Sequence, residues 1–561
     1  MAISSTTFLL ATVCLLAFLP SVSAFGAGEI PDYAFLSDKA YRHLDIENIL
    51  SDIVRWKGQK TGGSLIGAAV GFLASGGGEK KFTKADVYRV YFGNWLRDYS
   101  QAMDISGLSN ATAETIILLL SVLSFMTFGY ATEEFELKSQ KLGVYLPVEH
   151  IVRSILPRLF SAYLFTFSLY NTRVSILHAQ TNTSTVLTAI QSTDNPKGYG
   201  GKEDPRKYHR DLRPPVDPRE LEIDSRTGMK NYIANDGQGW DTSAAHVRRS
   251  LEKAIQLARQ SGGHRSPELY EAYRLMGGAL HTLEDLLAHS NWIELSLRKL
   301  GCNEVFCHVG DGATVNAPGG QRVPPLVTGT FGSADFIFSV MGEAGDKLSE
   351  SSVSELSKKI ANAQGQQSSL ATVKTLLGQV NASGGDTGND IDKAEQIQKK
   401  AYSFNPDNYT TDEVQKTLWD IMVWRDTIMR KVSTAIEKIP GLENTLEELT
   451  AALNVYIYTT IEPYVKPVLM KVSEGLGSGS RLVIDQDDQY EVFDNPSASD
   501  PSHSMLSKDH FDNVLNDPAG KIAKVVVEVA VNKIVAAWSD NSVDVRRTID
   551  GTRLLECYVE T

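Results

Sequence analysis

The chain has 561 residues, of which 22% are charged and 42% hydrophobic, and its formal net charge is −13. This length allows about two to four domain-sized units, and the composition is that of a folded globular protein. The acidic balance argues against sequence-independent binding of nucleic acid, because such binding needs a basic surface. It does not exclude membranes, since a local apolar or basic patch can dock an acidic protein.

Residues 1–24 have the pattern of a signal peptide. The apolar run Phe8–Leu19 is too short to span a bilayer comfortably. It is followed by Ser21-Val22-Ser23-Ala24, a small-x-small cleavage site, and cleavage there would leave Phe25 as the mature N-terminus. The segment before the run lacks Lys and Arg, so an uncleaved anchor is the alternative. A signal peptide predicts a secretory-pathway protein, extracellular or associated with the plasma membrane.

Export would place the cysteines in an oxidising compartment. Cys302 and Cys307 are close enough in sequence for a small disulfide there. Cys14 would be removed with the signal peptide, which leaves Cys557 without a predicted disulfide partner. Acceptor sites for N-glycosylation, which fit an exported glycoprotein, occur at Asn110, Asn182, Asn381 and Asn408.

Most of the chain is predicted to be helical. Helix starts are indicated by the N-cap cluster Asp241-Thr242-Ser243 and by Ser266-Pro267-Glu268. The apolar run 113–131 is interpreted as a central core helix, with a membrane span as the alternative. The predicted helices are 34–56, 84–104, 113–131, 243–262, 267–298, 346–380, 410–475 and 519–540, with a polar stretch at 384–407 and irregular chain at 200–240, 300–345 and 476–518.

The sharpest chemical pattern lies in the helix predicted for 267–298. His281, Asp285 and His289 are spaced i, i+4 and i+8, so they fall within an arc of about 80° on one side of that helix. Imidazoles and a carboxylate are ligands that zinc prefers. A polar helix face with His–Asp pairing is the alternative, but two histidines flanking one aspartate favour a metal site.

Residues 152–193 differ from the chain around them. They contain arginine but no Asp, Glu or Lys, and they show neither a helical nor a strand period. The polar, proline-containing sequence that follows resumes the composition of the rest of the chain. This segment is therefore an anomalous insert.

Several blocks resemble the fungal Het-C heterokaryon incompatibility family. They are Phe92–Ser100 and His503–Phe511, and the resemblance extends over most of 25–550. Two more, Leu146–Ile151 and Asp194–Gly198, run nearly together in that family but are separated here by the anomalous insert. We interpret the insert as translated intron, with a genuine hydrophobic loop as the alternative. The resemblance implies non-self recognition after hyphal fusion, by allelic subunits that assemble at the plasma membrane.

The helical motif is also similar to that of zinc-dependent phospholipases C and P1-type nucleases. Those enzymes carry Leu-His-x3-Asp, then His and Asn, on a central helix, and this chain matches at Leu280, His281, Asp285, His289 and Asn291. It has three residues between Asp285 and His289 where the phospholipase pattern has five. The spacing leaves the identity of the third ligand open.

The same resemblance implies further ligands in chain order. Phe25 would bind through its backbone atoms. For His43 and His150 an ordinary helix or loop position is the favoured interpretation, and for His246 a helix-cap role is the alternative. Asp98 is a candidate ligand and, if it does not bridge metals, the candidate general base. Besides Phe25, the positions that fit the implied ligand set are His43, Asp98, His246, His503, Asp509 and the neighbouring His510.

Taken together, these features predict an all-α protein with a phospholipase C-like helical bundle over 25–345. A helical insertion follows over 346–475, and the C-terminal segment 476–561 returns to the site. Two functions are compatible with this reading. One is a zinc-dependent phosphodiesterase acting on membrane phospholipid. The other is an allorecognition protein that assembles as homo- or hetero-oligomers of Het-C subunits and whose metal site is structural or lost.

Overall fold

The protein is described by a computed structural model. The described residues are 50, 82–103, 113–151, 153–154, 204–317, 320–331, 369–382, 388–404, 411–436, 452–453, 456–457, 460, 491–508 and 513–550. The predictions that fall outside them concern the signal peptide, most of the anomalous insert, the side chain of Asn381, and Phe25, His43, Asn110, Asn182, Asn408, Asp509 and His510.

Within the described residues the protein is mainly helical, as predicted, with two small two-stranded sheets. The α-helices are α1 (Lys84–Ser100), α2 (Ala113–Phe128), α3 (Ser139–Leu142), α4 (Pro147–His150), α5 (Asn231–Ala234), α6 (Ser243–Gln260), α7 (Pro267–Ala288), α8 (Trp292–Lys299), α9 (Ser369–Ala382), α10 (Gly388–Tyr402), α11 (Thr411–Ile436), α12 (Glu491–Asp494), α13 (His503–Leu506), α14 (Asn516–Ser539) and α15 (Val545–Asp550). The strands are β1 (Arg153–Ser154), β2 (Val315–Asn316), β3 (Arg322–Val323) and β4 (Thr330–Phe331). Short 3₁₀ helices lie at Gln101–Met103, Glu133–Phe135, Pro205–Lys207 and Pro218–Leu221.

Helix α7 lies at the centre, with α1, α6 and α14 packed against it. Both predicted helix starts are confirmed. Ser266 caps α7 by accepting a hydrogen bond from the Leu269 amide, with proline at the first helical position, and Thr242 caps α6 by accepting from the Ala245 amide. The apolar faces of α6, α7 and α14 form one continuous core. This core fixes α7, the helix that carries the predicted metal ligands.

Helix α1 crosses α7 at a contact between two glycines. Gly93 of α1 faces the carbonyl of Arg274, and Gly277 of α7 faces the carbonyl of Val90. A methyl group on either glycine would overlap that carbonyl oxygen, so the two helices can approach this closely only with glycine at both positions. The contact brings the C-terminal half of α1 beside the middle of α7.

The described helices of the predicted insertion share a second buried cluster with α1 and α2. Trp424 and Ile428 of α11 share a buried cluster with Phe92 of α1 and Phe128 of α2. Helix α2 is thus a core helix, as we interpreted the run 113–131. Among the described residues there is no helix that combines the length and apolar character needed to cross a membrane.

The prediction that a polar stretch, 384–407, separates the insertion helices is wrong in part, because α10 occupies most of that stretch. Ala394, Ile397 and Ala401 are buried on one side of α10, where they repeat at helical spacing. Small alanines gave this stripe a weak apolar signal, and the charged residues between them dominated the composition.

The long helix predicted over 267–298 is also corrected, since α7 ends at Ala288 and α8 begins at Trp292. The side chain of Asn291 donates to the carbonyls of Cys307 and Pro325 at 2.8 and 3.0 Å, and its oxygen accepts from the Val327 amide at 3.0 Å. These bonds attach the break between the helices to the following loop. Asn291 is therefore a structural residue.

An extended segment, 326–331, joins three parts of the chain. The Gly329 amide donates to the carbonyl of His289 at 2.9 Å, and the Thr330 amide donates to the carbonyl of Pro501 at 2.7 Å. Strand β4 within this segment pairs in parallel with β1, with Arg153 opposite Thr330. The end of α7, the residues after α4 and the residues before α13 are held side by side as a result.

The predicted disulfide between Cys302 and Cys307 is not formed in the structure, where both residues are free thiols. Cys302 is exposed after the end of α8, whereas Cys307 is buried with Val309 and Val327. Burial raises the pKa of the Cys307 thiol to about 11. The buried thiol is thus held in its neutral form.

Candidate metal centre

Three buried side chains meet beside the middle of α7. The Nε2 atom of His281 lies 3.0 Å from Oδ2 of Asp285 and 3.2 Å from Nδ1 of His150, and Nδ1 of His150 lies 3.5 Å from the same Asp285 oxygen. These three atoms form a nearly equilateral triangle. His281 and Asp285 come from one face of α7, as predicted, and His150 comes from the last residue of α4.

The triangle has the dimensions of a tetrahedral zinc site. Zinc bonds of about 2.0–2.1 Å at tetrahedral angles separate neighbouring ligand atoms by about 3.3 Å. The three separations bracket that value. The other ring nitrogen of His150, Nε2, is also buried and has no hydrogen-bond partner among the described residues. These residues can hold a metal ion, and imidazole with carboxylate is a donor set that zinc accepts.

Asp98 of α1 lies at the edge of the triangle. Its Oδ1 atom is 3.7 Å from Nε2 of His281, and its side chain is 15% exposed where those of His281 and Asp285 are 0% and 1%. The predicted site residue from α1 is thus adjacent to the pair from α7.

The charge state of Asp285 suits a metal ligand. Burial by itself would raise the pKa of this carboxyl, but the nearby imidazoles of His281 and His289 and hydrogen bonds from His150 and His281 hold the pKa well below its usual range. Asp285 is therefore ionised near neutral pH. Its negative charge lies where two imidazole nitrogens converge.

His289 and His503 lie next to the triangle. The Nδ1 atom of His289 is 3.1 Å from the backbone carbonyl of His150 and 3.9 Å from Oδ2 of Asp285. A carbonyl only accepts, so Nδ1 carries the proton and Nε2 carries the lone pair. The rings of His289 and His503 are 4.5 Å apart. His503, from the C-terminal part of the chain, thus lies next to His289.

The backbone after His150 has an unusual conformation. Ile151, which is buried and β-branched, adopts the left-handed region with φ 48°. This conformation costs on the order of 1–3 kcal/mol for a non-glycine residue. It ends α4 and directs the chain into β1, while the carbonyl of His150 meets His289. The strained residue thus directly follows His150.

A buried lysine fixes the C-terminal segment to the end of α7. The ammonium of Lys508 lies 2.9 Å from the Ser290 carbonyl, 3.0 Å from the Leu506 carbonyl and 2.8 Å from Oε1 of Glu294. Three acceptors match the three donors of an ammonium group. Lys508 thereby holds α13, which carries His503, against the start of α8.

The predicted residue His246 lies one layer outside the triangle. Its Nε2 atom is 4.0 Å from Oε1 of Glu149, the residue before His150. Burial lowers the pKa of His246, despite the opposing charge of Glu149. His246 therefore lies near the neighbour of His150 and contributes no atom to the triangle.

His150 is the residue of the triangle that the sequence does not predict, since an ordinary helix or loop position is its favoured interpretation. It lies 131 residues from His281 along the chain, so no local spacing could link the two. A signal was present, because His150 belongs to the Leu146–Ile151 block that carries the family resemblance. The extended segment 326–331, which holds together the stretches that carry His150, His289 and His503, has no comparable signal in the sequence.

The fold and this cluster define a mainly helical protein with a buried histidine–aspartate site of metal-binding type. The chain belongs to the Het-C family: the family model described as heterokaryon incompatibility protein Het-C matches residues 8–154 and 180–558. The interval between the matched segments, 155–179, falls within the anomalous insert. Neither the curated proteins nor the solved structures contain a match to this chain.

Proposed function

We propose that the chain is a zinc-dependent protein of heterokaryon incompatibility whose metal centre hydrolyses phosphodiesters in phospholipid head groups. The observation that carries the metal centre is the triangle of His150, His281 and Asp285, whose sides match the ligand separations of tetrahedral zinc. Family membership suggests the biological role. The order of Leu280, His281 and Asp285 supports the phospholipase C-like chemistry.

Zinc held by these side chains would supply an acidified water and a Lewis acid for phosphoryl oxygen. The residues around the metal would have different roles. Asp285 and His281 orient one another, and the proton on Nδ1 of His289 is held by the His150 carbonyl. Asp98, the most exposed of the acidic groups at the site, would accept a proton from the nucleophile.

An alternative has its own supporting observation. His150, His281 and Asp285 are nearly inaccessible to solvent, as are the ligands of closed structural zinc sites. A metal bound there would hold α4 against α7 without reacting with substrate. In that case the chain would act as an allorecognition and assembly protein, with copies of itself or of allelic Het-C subunits as partners.

The first experiment measures zinc in the purified protein by elemental analysis, for wild type, Asp285→Asn and Glu284→Gln. Glu284 is the matched control, because it is a buried carboxylate on the same helix that accepts a hydrogen bond from Asn94 at 3.0 Å and is not part of the triangle. A neutral amide is a poor zinc ligand, so Asp285→Asn should lose zinc while Glu284→Gln keeps it. Equal zinc in all three proteins, or none in wild type, would contradict the proposal.

Hydrolysis of phosphatidylcholine vesicles then separates the two functions. The zinc-loaded wild type should release phosphocholine, and Asp98→Asn should stop the reaction. If Asp98→Asn retains zinc, Asp98 acts as the base; if zinc is lost, Asp98 is a ligand. Zinc without hydrolysis in the wild type favours the assembly protein.

Export to the cell surface is a further part of the proposal. It rests on the pattern of residues 1–24, and it would place the protein where membrane phospholipid and other Het-C subunits meet. Fractionation of fungal cells tests it directly. An unglycosylated protein confined to the cytosol would remove the argument for export, for the predicted glycosylation and for a lipid substrate outside the cell.

A further inference from the structure

Two consecutive pairs of residues connect α1 to α4. Arg97 and Asp98 are neighbours on α1, and Glu149 and His150 are neighbours on α4. Asp98 and His150 both reach Nε2 of His281, at 3.7 and 3.2 Å. One residue earlier in each element, Arg97 and Glu149 form an ion pair of 2.7 Å.

Both members of this pair are buried. The side chains of Arg97 and Glu149 are 8% and 7% exposed. The second Arg97 nitrogen, Nη2, donates to the carbonyls of Leu142 and Lys141 at 2.6 and 3.1 Å. One guanidinium therefore holds the end of α3 and the carboxylate of α4 together, which its planar fork of donors allows.

Helix α4 depends on such contacts for its position. It has four residues, Pro147–His150, and is followed directly by the strained Ile151. A single helical turn has too few internal hydrogen bonds to be stable alone. Neighbouring groups must therefore hold α4 in position. Helix α1 contributes Arg97 to this, through its ion pair with Glu149.

We propose that the Arg97–Glu149 ion pair positions the metal centre, by setting the separation between Asp98 on α1 and His150 on α4. Neither Arg97 nor Glu149 contributes an atom to the triangle, so both act through their neighbours. The proposal rests on the proposed zinc function. The ion pair joins the end of α1 to the single turn of α4. The distance between these two elements therefore depends on the charges of Arg97 and Glu149, which are not ligands themselves.

The test compares Glu149→Gln with Glu134→Gln in the full chain. Glu134 is the matched control, because it forms a buried ion pair of 2.8 Å with Arg89 on the same helix α1, with a side chain as buried as that of Glu149 at 7% exposed. Each variant is titrated with Co²⁺ as a spectroscopic probe of the zinc site, and far-ultraviolet circular dichroism checks that it is folded.

Glu149→Gln should weaken Co²⁺ binding by about 10–100-fold, the usual effect of changing a group that orients a ligand, and should alter the visible absorption of the bound ion. Glu134→Gln should leave both unchanged. Glu149→Asp and Arg97→Lys keep the charge and should each recover part of the affinity.

Equal losses in Glu149→Gln and Glu134→Gln would assign the effect to general destabilisation and overturn the proposal. Unchanged affinity and spectrum in Glu149→Gln would also overturn it, while leaving the zinc site of the proposed function in place. A wild-type protein that binds no Co²⁺ and contains no zinc would overturn both.

Discussion

The arrangement of histidines around the candidate metal centre depends on residues that contribute no candidate ligand atom. Gly329, which lies against His503, is one of them. A Cβ atom at this position would lie 2.8 Å from Cα of His503. The Gly329 amide also donates to the His289 carbonyl. Glycine at 329 therefore allows His503 to approach His289, and a larger residue would separate them.

We expect Gly329→Ala to lower the melting temperature and to weaken any binding that uses His503. The added methyl group meets backbone, which cannot rotate away, so overpacking should cost about 1–3 kcal/mol. Gly378→Ala is the control, since Gly378 lies in α9 and a Cβ atom there would have no neighbour within 4 Å. That change should be neutral or stabilising by up to about 1 kcal/mol. Thermal unfolding of both variants checks this, and equal midpoints would contradict it.

At the scale of elements, sequence patterns predicted helices well where an apolar stripe was strong and capping residues were present. The starts of α6 and α7 and the core role of α2 followed from such local signals. The break after Ala288 did not, because it depends on Asn291 bonding to carbonyls of Cys307 and Pro325 that are distant in sequence. The pairing of α4 with α7 likewise depends on tertiary contacts.

Helix α11 is attached to the bundle by a buried charge. Asp426 accepts hydrogen bonds from the amides of Ala131 and Thr132 at 3.1 and 2.7 Å, and Arg430 donates to its other oxygen at 2.8 Å. These bonds satisfy the turn that follows α2. Helix α11 is therefore joined to the bundle by polar contacts as well as by the apolar core.

Replacing Asp426 with alanine should destabilise the protein by about 3 kcal/mol, because the amides and Arg430 would lose a buried partner. Asp420→Ala on the same helix is the control, since Asp420 is exposed and its loss should change stability by less than about 0.5 kcal/mol. Urea unfolding measures both. Similar midpoints for the two variants would show that Asp426 does not anchor α11.

At the scale of the whole molecule, the buried titratable groups make the native state sensitive to acid. The pKa of Glu149 is lowered: burial opposes the shift, and the Arg97 charge is the largest of the contributions that together outweigh burial. The pKa of Glu294 is also lowered, against burial, by a hydrogen bond from His308 and by the Lys508 charge. Burial lowers the pKa of His246 from its ordinary 6.5, so its imidazole is neutral in the folded protein.

Each of these shifts has the same consequence for stability. A group with a lowered pKa in the folded state binds fewer protons than in the unfolded chain, so its contribution is lost as the pH falls. In the presence of a chelator, the free energy of unfolding should decline below about pH 6.5 through His246 and more steeply below pH 4.5, the ordinary value for Glu149 and Glu294. Unfolding by urea at several pH values measures it. A constant value from pH 7 to 4 would contradict the assignment.

The central claim is that His150, His281 and Asp285 together bind zinc, and His150 gives its most direct test because the local motif does not include it. The measurement is the zinc dissociation constant of wild type, His150→Ala and the exposed control His264→Ala, by competition with a chelator. Loss of a direct ligand should weaken binding by more than the roughly 10–100-fold that outer-shell changes cost. We predict that loss for His150→Ala alone. Wild-type affinity in His150→Ala would contradict the claim.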